Sequence, residues 1–88
     1  MHKPHSTIVL GDNDNVAIAL TAILKDDLID ELGLTAKTDI PKGHKVAKRA
    51  IARGDSVFKY GQIIGRSTTA ILAGEHVHIH NIEFTDHK

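Results

Sequence analysis

Ile40-Pro41-Lys42-Gly43-His44-Lys45-Val46 sets a pattern of isoleucine, glycine and valine that returns along the chain. The same spacing recurs in residues 51–57 and 71–77, and residues 23–29 repeat it with an aspartate at the glycine position. Glycine adopts a positive φ without steric cost, and aspartate is among the few other residues that tolerate it. Each copy therefore predicts a tight surface turn between two buried apolar anchors, the second of which starts a strand.

Short apolar segments separated by turn residues predict a mostly-β chain. Residues 16–20 fit a strand or part of a short helix running to residue 24, and we favour a strand. Residues 28–32 fit either a strand or a helical turn. No segment keeps a 3.6-residue apolar period over three turns, which argues against a helical domain. The other predicted strands are residues 7–10, 34–38, 46–51, 57–62, 63–70 and 76–84.

Length and composition limit the function classes. The 88 residues suit one small domain, which we assign to residues 1–88 with a loose tail at 85–88. Eleven basic and eleven acidic residues cancel, and only three aromatic residues are present, so the chain offers no nucleic-acid footprint. Cysteine is absent, which excludes disulfides, thiol nucleophiles and cysteine zinc sites. We expect no contact with a membrane and a cytoplasmic location.

Three of the seven histidines alternate with apolar residues near the C-terminus. In a strand, His76, His78 and His80 would share one face, while Val77 and Ile79 would point to the core. Such a row can bind a divalent metal or an anionic substrate, but it is equally typical of a solvated polar face. Imidazoles two residues apart on a strand lie about 6–7 Å apart. A complete metal site therefore needs a further ligand from elsewhere in the chain.

One other polar pair is a candidate for binding. His44 and Lys45 follow the turn at Gly43, where exposed backbone N–H groups and a cation suit a carboxylate or phosphate. A polar turn without a ligand explains them as well, and the string lacks the features of a Walker A loop. Lys59 and Tyr60 precede the turn at Gly61, where a bulge or a close backbone contact is favoured over a ligand cradle.

Four strings that occur in order resemble a known family. They are Asp14-Asn15-Val16-Ala17, Ile40-Pro41-Lys42-Gly43-His44-Lys45-Val46-Ala47, Lys59-Tyr60-Gly61 with Ile64-Gly65, and Ala73-Gly74-Glu75-His76-Val77-His78-Ile79-His80-Asn81. Together they resemble the N-terminal SAF domain of the altronate and galactarate dehydratase family over nearly the whole chain. The last string is more similar to altronate than to galactarate dehydratase. The small subunit of sulfolactate sulfo-lyase is built on the same plan.

The resemblance implies an SAF-type β-clip, a bent two-stranded ribbon with short strands and at most one or two short helices. It implies an accessory role beside a large catalytic subunit or C-terminal catalytic domain. The complete enzyme would remove water from a sugar acid with a divalent metal, iron(II). Unpaired strand edges also lead us to expect a homo-oligomer.

The resemblance places site residues only as expectations. We expect His44 and Lys45, with Lys59 and Tyr60 as a second pair, to face the substrate or the catalytic partner. The metal candidates are His76, His78 and His80. The alternatives are a sulfolactate sulfo-lyase subunit, which would release sulfite instead of water, and a non-enzymatic SAF module that binds carbohydrate or acts as an adaptor.

Overall fold

The computed structural model describes residues 7–8 and 13–84, and within them the chain is mostly β. One turn of 3-10 helix, Asp30–Leu32, is the helical element of this part of the chain. The tail predicted at residues 85–88 and the second half of the strand predicted at residues 7–10 lie outside the described residues. The strands are Thr7–Ile8 (β1), Val16–Ala19 (β2), Leu28–Ile29 (β3), Leu34–Thr35 (β4), Lys45–Ala47 (β5), Ser56–Lys59 (β6), Gln62–Ser67 (β7), His76–Val77 (β8) and Ile82–Phe84 (β9).

The strands form three antiparallel sheets. A four-stranded sheet has the order β1-β2-β5-β8, β3 pairs with β4, and a three-stranded sheet has the order β6-β7-β9. The mostly-β prediction is confirmed, and the arrangement is consistent with a small β-clip domain. The strand favoured at residues 16–20 is also confirmed as β2. The ambiguous residues 28–32 contain both of the predicted alternatives, a two-residue strand followed by the helical turn.

The four copies of the isoleucine pattern associate in two pairs. Ile23 pairs with Ile40, and Ile51 pairs with Ile71, each through an isolated antiparallel bridge. In the first pair each backbone N–H donates to the partner's carbonyl at 2.9 and 2.7 Å, and in the second pair both distances are 2.8 Å. The repeat is therefore an internal pairing motif. The copies at residues 23–29 and 40–46 form a first lobe, and those at 51–57 and 71–77 form a second lobe on the other side of the four-stranded sheet, which we call the central sheet.

The turn residue of every copy has the predicted positive φ, from 74° at Asp26 to 91° at Gly74. Each of these residues donates its N–H to the carbonyl four residues before the isoleucine of the partner copy. The four bonds are Asp26 to Ala36 (2.8 Å), Gly43 to Ala19 (2.8 Å), Gly54 to Ser67 (2.9 Å) and Gly74 to Ala47 (2.8 Å). The turns therefore fix the spacing between paired copies as well as reversing the chain.

The central sheet separates two apolar cores. Neighbouring residues of a strand face opposite sides, so Val16 and Ala47 belong to one core while Ala17 and Val46 belong to the other. All eight isoleucine and valine anchors of the four copies are buried, as predicted. The first core contains Ala17, Ala19, Ile23, Ile29, Ala36, Ile40 and Val46, and the second contains Val16, Ala47, Ile51, Val57, Ile71, Val77 and Ile82.

The strand predicted over residues 76–84 is wrong in its extent. The chain pairs as β8 only through His76–Val77, turns at residues 78–81, and continues as β9 in a different sheet. Val77 is buried as expected, but Ile79 is 71% exposed and does not point to the core. Among the described residues, no helix has the length and apolar character needed to cross a bilayer.

Candidate functional site

A cluster of histidines lies where β5 and β8 meet. Val46 of β5 pairs with His76 of β8, and Lys45 pairs with Val77. Extending this register by one residue places His44 opposite His78. Because cross-strand partners share a face, His76 lies on the side of the first core and Lys45 on the side of the second core.

The three imidazoles of His44, His76 and His78 are in mutual contact. One ring nitrogen from each lies within 4.8 Å of the other two. Nδ1 of His44 is 2.8 Å from Nε2 of His76. The rings of His44 and His78 stack with centroids 4.1 Å apart. All three side chains are half-buried, so the cluster is reachable from solvent.

The histidines that meet in the structure are not the same three that the sequence predicted to share a strand face. It brings His76 and His78 together with His44, which sequence reasoning had placed in a separate pair with Lys45. His80 is exposed and lies at the edge of the cluster, with its ring centroid 5.0 Å from that of His76. The turn that ends β8 causes this difference, because it removes His80 from the strand face that His76 begins.

Asn81 builds that turn. Its buried side chain accepts a hydrogen bond from the N–H of His78 at 2.9 Å and donates to the carbonyl of His76 at 2.8 Å. The N–H of His76 donates to Thr38 Oγ1 at 3.0 Å. Asn81 was not predicted as a site residue, although it is the last residue of the fourth family string. It acts on the site by positioning the backbone of two histidines.

His44 occupies a position that is a carboxylate in the other three copies of the pattern, and the local sequence explains the difference. In the other three copies this position is a carboxylate that accepts the backbone N–H of the residue after the isoleucine. These bonds are Leu24 to Asp27 (3.1 Å), Ala52 to Asp55 (3.3 Å) and Leu72 to Glu75 (2.5 Å). In the copy with His44 the donor position is Pro41, which has no N–H. No carboxylate is needed there, and the imidazole is available for the cluster.

The environment disfavours the charged forms of His76 and His78. Burial, followed by the charges of His80, His44, His78 and Lys45, lowers the pKa of His76 to about 4. Burial and then His44, Lys45 and His80 also lower the pKa of His78. At neutral pH His76 therefore carries no proton charge, and neutral imidazole is the form that binds metals or accepts a proton.

We predict that the metal-free chain loses stability on acidification between pH 6.5 and about pH 4. The pKa of His76 is about 4 in the folded chain and 6.5 in the reference state, so in this window the unfolded chain binds more protons. The stabilisation is complete above pH 6.5 and decreases as the pH falls. Thermal unfolding with EDTA should show a larger drop in Tm from pH 7 to pH 5 for the wild type than for His76→Gln. Equal drops would contradict the prediction.

The two predicted cation positions, Lys45 and Lys59, influence each other electrostatically. Burial and then the charge of Lys59 lower the pKa of Lys45. Lys45 Nζ is 5.9 Å from the centre of the Phe84 ring, and Lys59 Nζ is 5.6 Å from that of Tyr60. Tyr60 is 64% exposed. The structure therefore places Lys45, Lys59 and Tyr60 on the side of the second lobe, and the histidine cluster on the side of the first.

Asp14 supports this second group and was not selected from the sequence. It is fully buried, and its carboxylate accepts the backbone N–H groups of Tyr60 at 2.9 Å and Gly61 at 2.8 Å. Its neighbour Asn15 accepts the N–H of Phe58 at 2.8 Å. Asp14 and Asn15 therefore hold the β6–β7 hairpin in place. The only sequence signal was the first family string, which contains Asp14 and Asn15.

Comparison with known proteins gives one family and two kinds of relative. Residues 5–85 match the family model described as the altronate/galactarate dehydratase SAF domain. The chain is 41% identical to an altronate dehydratase of Bacillus subtilis (strain 168) over 78 residues, covering 86% of the chain and 16% of the relative. It is 43% identical to an altronate dehydratase of Escherichia coli (strain K12) over 70 residues, covering 77% of the chain and 14% of the relative.

The second kind of relative is a small subunit. The chain is 54% identical over 48 residues to the (2R)-sulfolactate sulfo-lyase subunit alpha of Paracoccus pantotrophus, covering 54% of the chain and 72% of the relative. The similarity therefore extends over most of that subunit, whereas the chain spans only 14–16% of the length of the two altronate dehydratases.

Proposed function

Because this chain belongs to the altronate/galactarate dehydratase SAF domain family, we propose that it is the N-terminal domain or small subunit of a metal-dependent sugar-acid dehydratase. In this role it is accessory to a larger catalytic region. The observation that carries the proposal is the coverage: 77–86% of the chain matches 14–16% of each altronate dehydratase. Most of each relative therefore has no counterpart in these 88 residues.

The chain's own contribution is recognition of an anionic substrate by Lys45 and Lys59. Burial and then the charge of Lys59 lower the pKa of Lys45, so the two cations repel one another. A carboxylate between them relieves this repulsion and is bound by both. Tyr60, exposed beside Lys59, adds a hydroxyl that can donate to a sugar oxygen or accept from one.

A divalent metal, iron(II), belongs to the proposed complete enzyme. When bound, it supplies Lewis acidity toward the substrate's carboxylate or its leaving hydroxyl. In the proposed enzyme, Lys45, Lys59 and Tyr60 of this chain bind the anionic group of the substrate and orient the substrate for the reaction.

A chimera tests the accessory role. The segment of the Bacillus subtilis relative that matches this chain is replaced by it, and altronate dehydration is assayed with ferrous iron. We expect no turnover from the 88-residue chain alone, turnover from the chimera, and loss of turnover when the segment is deleted. Full activity of the isolated chain, or of the deleted relative, would contradict an accessory role.

Variants of the chimera test the cation pair. A hydrogen bond to a charged group contributes about 1.5–3 kcal/mol, so Lys45→Gln and Lys59→Gln should each lower kcat/KM by about 10- to 100-fold. Lys25→Gln is the matched control, because Lys25 is an exposed lysine in a turn of the other lobe. A Lys25 variant as impaired as the Lys45 variant would show that net charge, rather than this site, is responsible.

The alternative function is that of a sulfolactate sulfo-lyase subunit. The 72% coverage of the Paracoccus pantotrophus subunit favours it, since that relative is itself a small chain. The two functions share an anionic hydroxy-acid substrate and differ in the leaving group. To test the alternative, the chain is combined with a sulfo-lyase large subunit and sulfite release from sulfolactate is measured. Sulfite release there, together with an inactive altronate dehydratase chimera, would support the alternative function.

A further inference from the structure

We propose that His44, His76 and His78 form a three-nitrogen binding site for a divalent transition metal within this chain. The site joins the turn before β5 to the strand and turn of β8. Its ligand set differs from the histidine row expected from the sequence, because His44 is a ligand and His80 is not.

The ring nitrogens are close to the spacing that one metal requires. Ligands about 2.1 Å from a tetrahedral metal lie about 3.4 Å from one another. One nitrogen from each ring lies within 4.8 Å of the other two, and His44 Nδ1 is 2.8 Å from His76 Nε2. Movements of about 1 Å therefore bring them into position. The half-exposed side chains can make these movements by rotation about their χ angles.

Hydrogen bonding among the rings leaves one nitrogen unsatisfied. A single proton between His44 Nδ1 and His76 Nε2 accounts for their contact at 2.8 Å. Nδ1 of His78 is buried and, among the described residues, has no hydrogen-bond partner. Buried polar atoms without a partner are rare in folded proteins. A cation bound through Nδ1 of His78 satisfies this atom, whereas the hydrogen bond between His44 and His76 does not.

The scaffold already holds the ligands in place. Asn81 bonds the backbone on both sides of Val77, and Thr38 bonds the N–H of His76. The pairing of β5 with β8 fixes His44 opposite them. These contacts lower the ordering cost of binding, because the backbone of each ligand is fixed before a metal arrives.

The donor set selects the class of metal. Three imidazoles without a carboxylate suit Zn²⁺, Co²⁺, Ni²⁺, Cu²⁺ or Fe²⁺ rather than Mg²⁺ or Ca²⁺, which prefer oxygen ligands. Three protein ligands also leave at least one coordination position for water or a substrate oxygen, as in catalytic rather than structural zinc sites.

Metal titration of the 88-residue chain tests the site. Three histidines lie outside the described residues, so the test uses the His2→Gln/His5→Gln/His87→Gln background. We expect one equivalent of Zn²⁺ or Co²⁺ by calorimetry, with visible absorption from bound Co²⁺, and no comparable response to Mg²⁺. Single replacements of His44, His76 or His78 by Ala should weaken binding by about 100-fold or more. His80→Ala is the matched control and should change affinity by less than about threefold.

A spectroscopic readout keeps the test independent of the variants' folding. In the background chain, NMR of the imidazole nitrogens should show Zn²⁺-dependent shifts at His44, His76 and His78 and an unchanged His80 ring. The proposal is overturned if no equivalent binds, if His44→Ala binds as tightly as its parent, or if His80→Ala matches His76→Ala. Because the readout is binding, a chain that binds metal while the dehydratase chimera is inactive refutes only the proposed function.

Discussion

Asp14→Ala is expected to lower the free energy of unfolding by about 3 kcal/mol. The buried carboxylate accepts the N–H groups of Tyr60 and Gly61, and both residues have positive φ, 58° and 72°. They are the central residues of a two-residue hairpin loop between Lys59 and Gln62. A tyrosine is strained in this conformation. Asp14 offsets that strain with two charge-assisted hydrogen bonds, which alanine cannot make.

Chemical denaturation with two controls measures this effect. Asp55→Ala removes a carboxylate that accepts one exposed backbone N–H and should cost about 0.5–1 kcal/mol. Tyr60→Gly removes the strain directly, so in the Asp14→Ala background it should recover about 1 kcal/mol. Equal losses for Asp14→Ala and Asp55→Ala would mean that the buried carboxylate does not hold the hairpin. In that case it would not position Lys59 and Tyr60 either.

Gly74→Ala should lower the free energy of unfolding by about 3–4 kcal/mol. Gly74 has φ of 91°, which an alanine adopts only at a cost of about 1–2 kcal/mol. Its Cβ would also lie 2.4 Å from the backbone carbonyl oxygen of Thr35. The backbone must move to relieve this clash, and Gly74 is bonded there through Lys37 on one side and Ala47 on the other.

Gly54→Ala provides the matched comparison. Gly54 occupies the same position in another copy of the pattern, with φ of 87°, and a Cβ there meets nothing within 4 Å. It should therefore show only the conformational cost, about 1–2 kcal/mol. If the two variants lose the same stability, the close approach of Gly74 to Thr35 is not important. Because His76 follows two residues later, the ring NMR signals of His76 should shift in Gly74→Ala and not in Gly54→Ala.

Local features of the chain were predictable because their causes are local. A glycine or aspartate flanked by apolar anchors must turn, whatever surrounds it, and the positive φ of Asp26, Gly43, Gly54 and Gly74 follows. The burial of the anchors follows from their apolar side chains. The resemblance to the family also depends on short stretches of sequence. Two of these strings contain the candidates His44, Lys45, Lys59 and Tyr60.

Features that depend on distant partners were not predictable in the same way. The end of β8 at Val77 was missed for a different reason: Asn81, only three to five residues away, bonds the backbone on both sides of Val77 through its side chain. An alternating pattern of histidine and apolar residues carries no sign of this bend, and it led to the wrong assignment of Ile79. The role of Asp14 depends on amides 46 and 47 residues away.

The amino-acid pattern alone thus specified four turns, their buried anchors and a mostly-β chain, because φ preference and hydrophobic burial act within a few residues. The pairing of Ile23 with Ile40 and of Ile51 with Ile71 was decided by tertiary structure. Tertiary structure also decided the contact of His44 with His76 and His78. In both cases the reason is physical: a backbone hydrogen bond or an imidazole contact joins residues from 17 to 34 positions apart. Four copies of one short pattern offer several such pairings, and only packing of the whole chain selects among them.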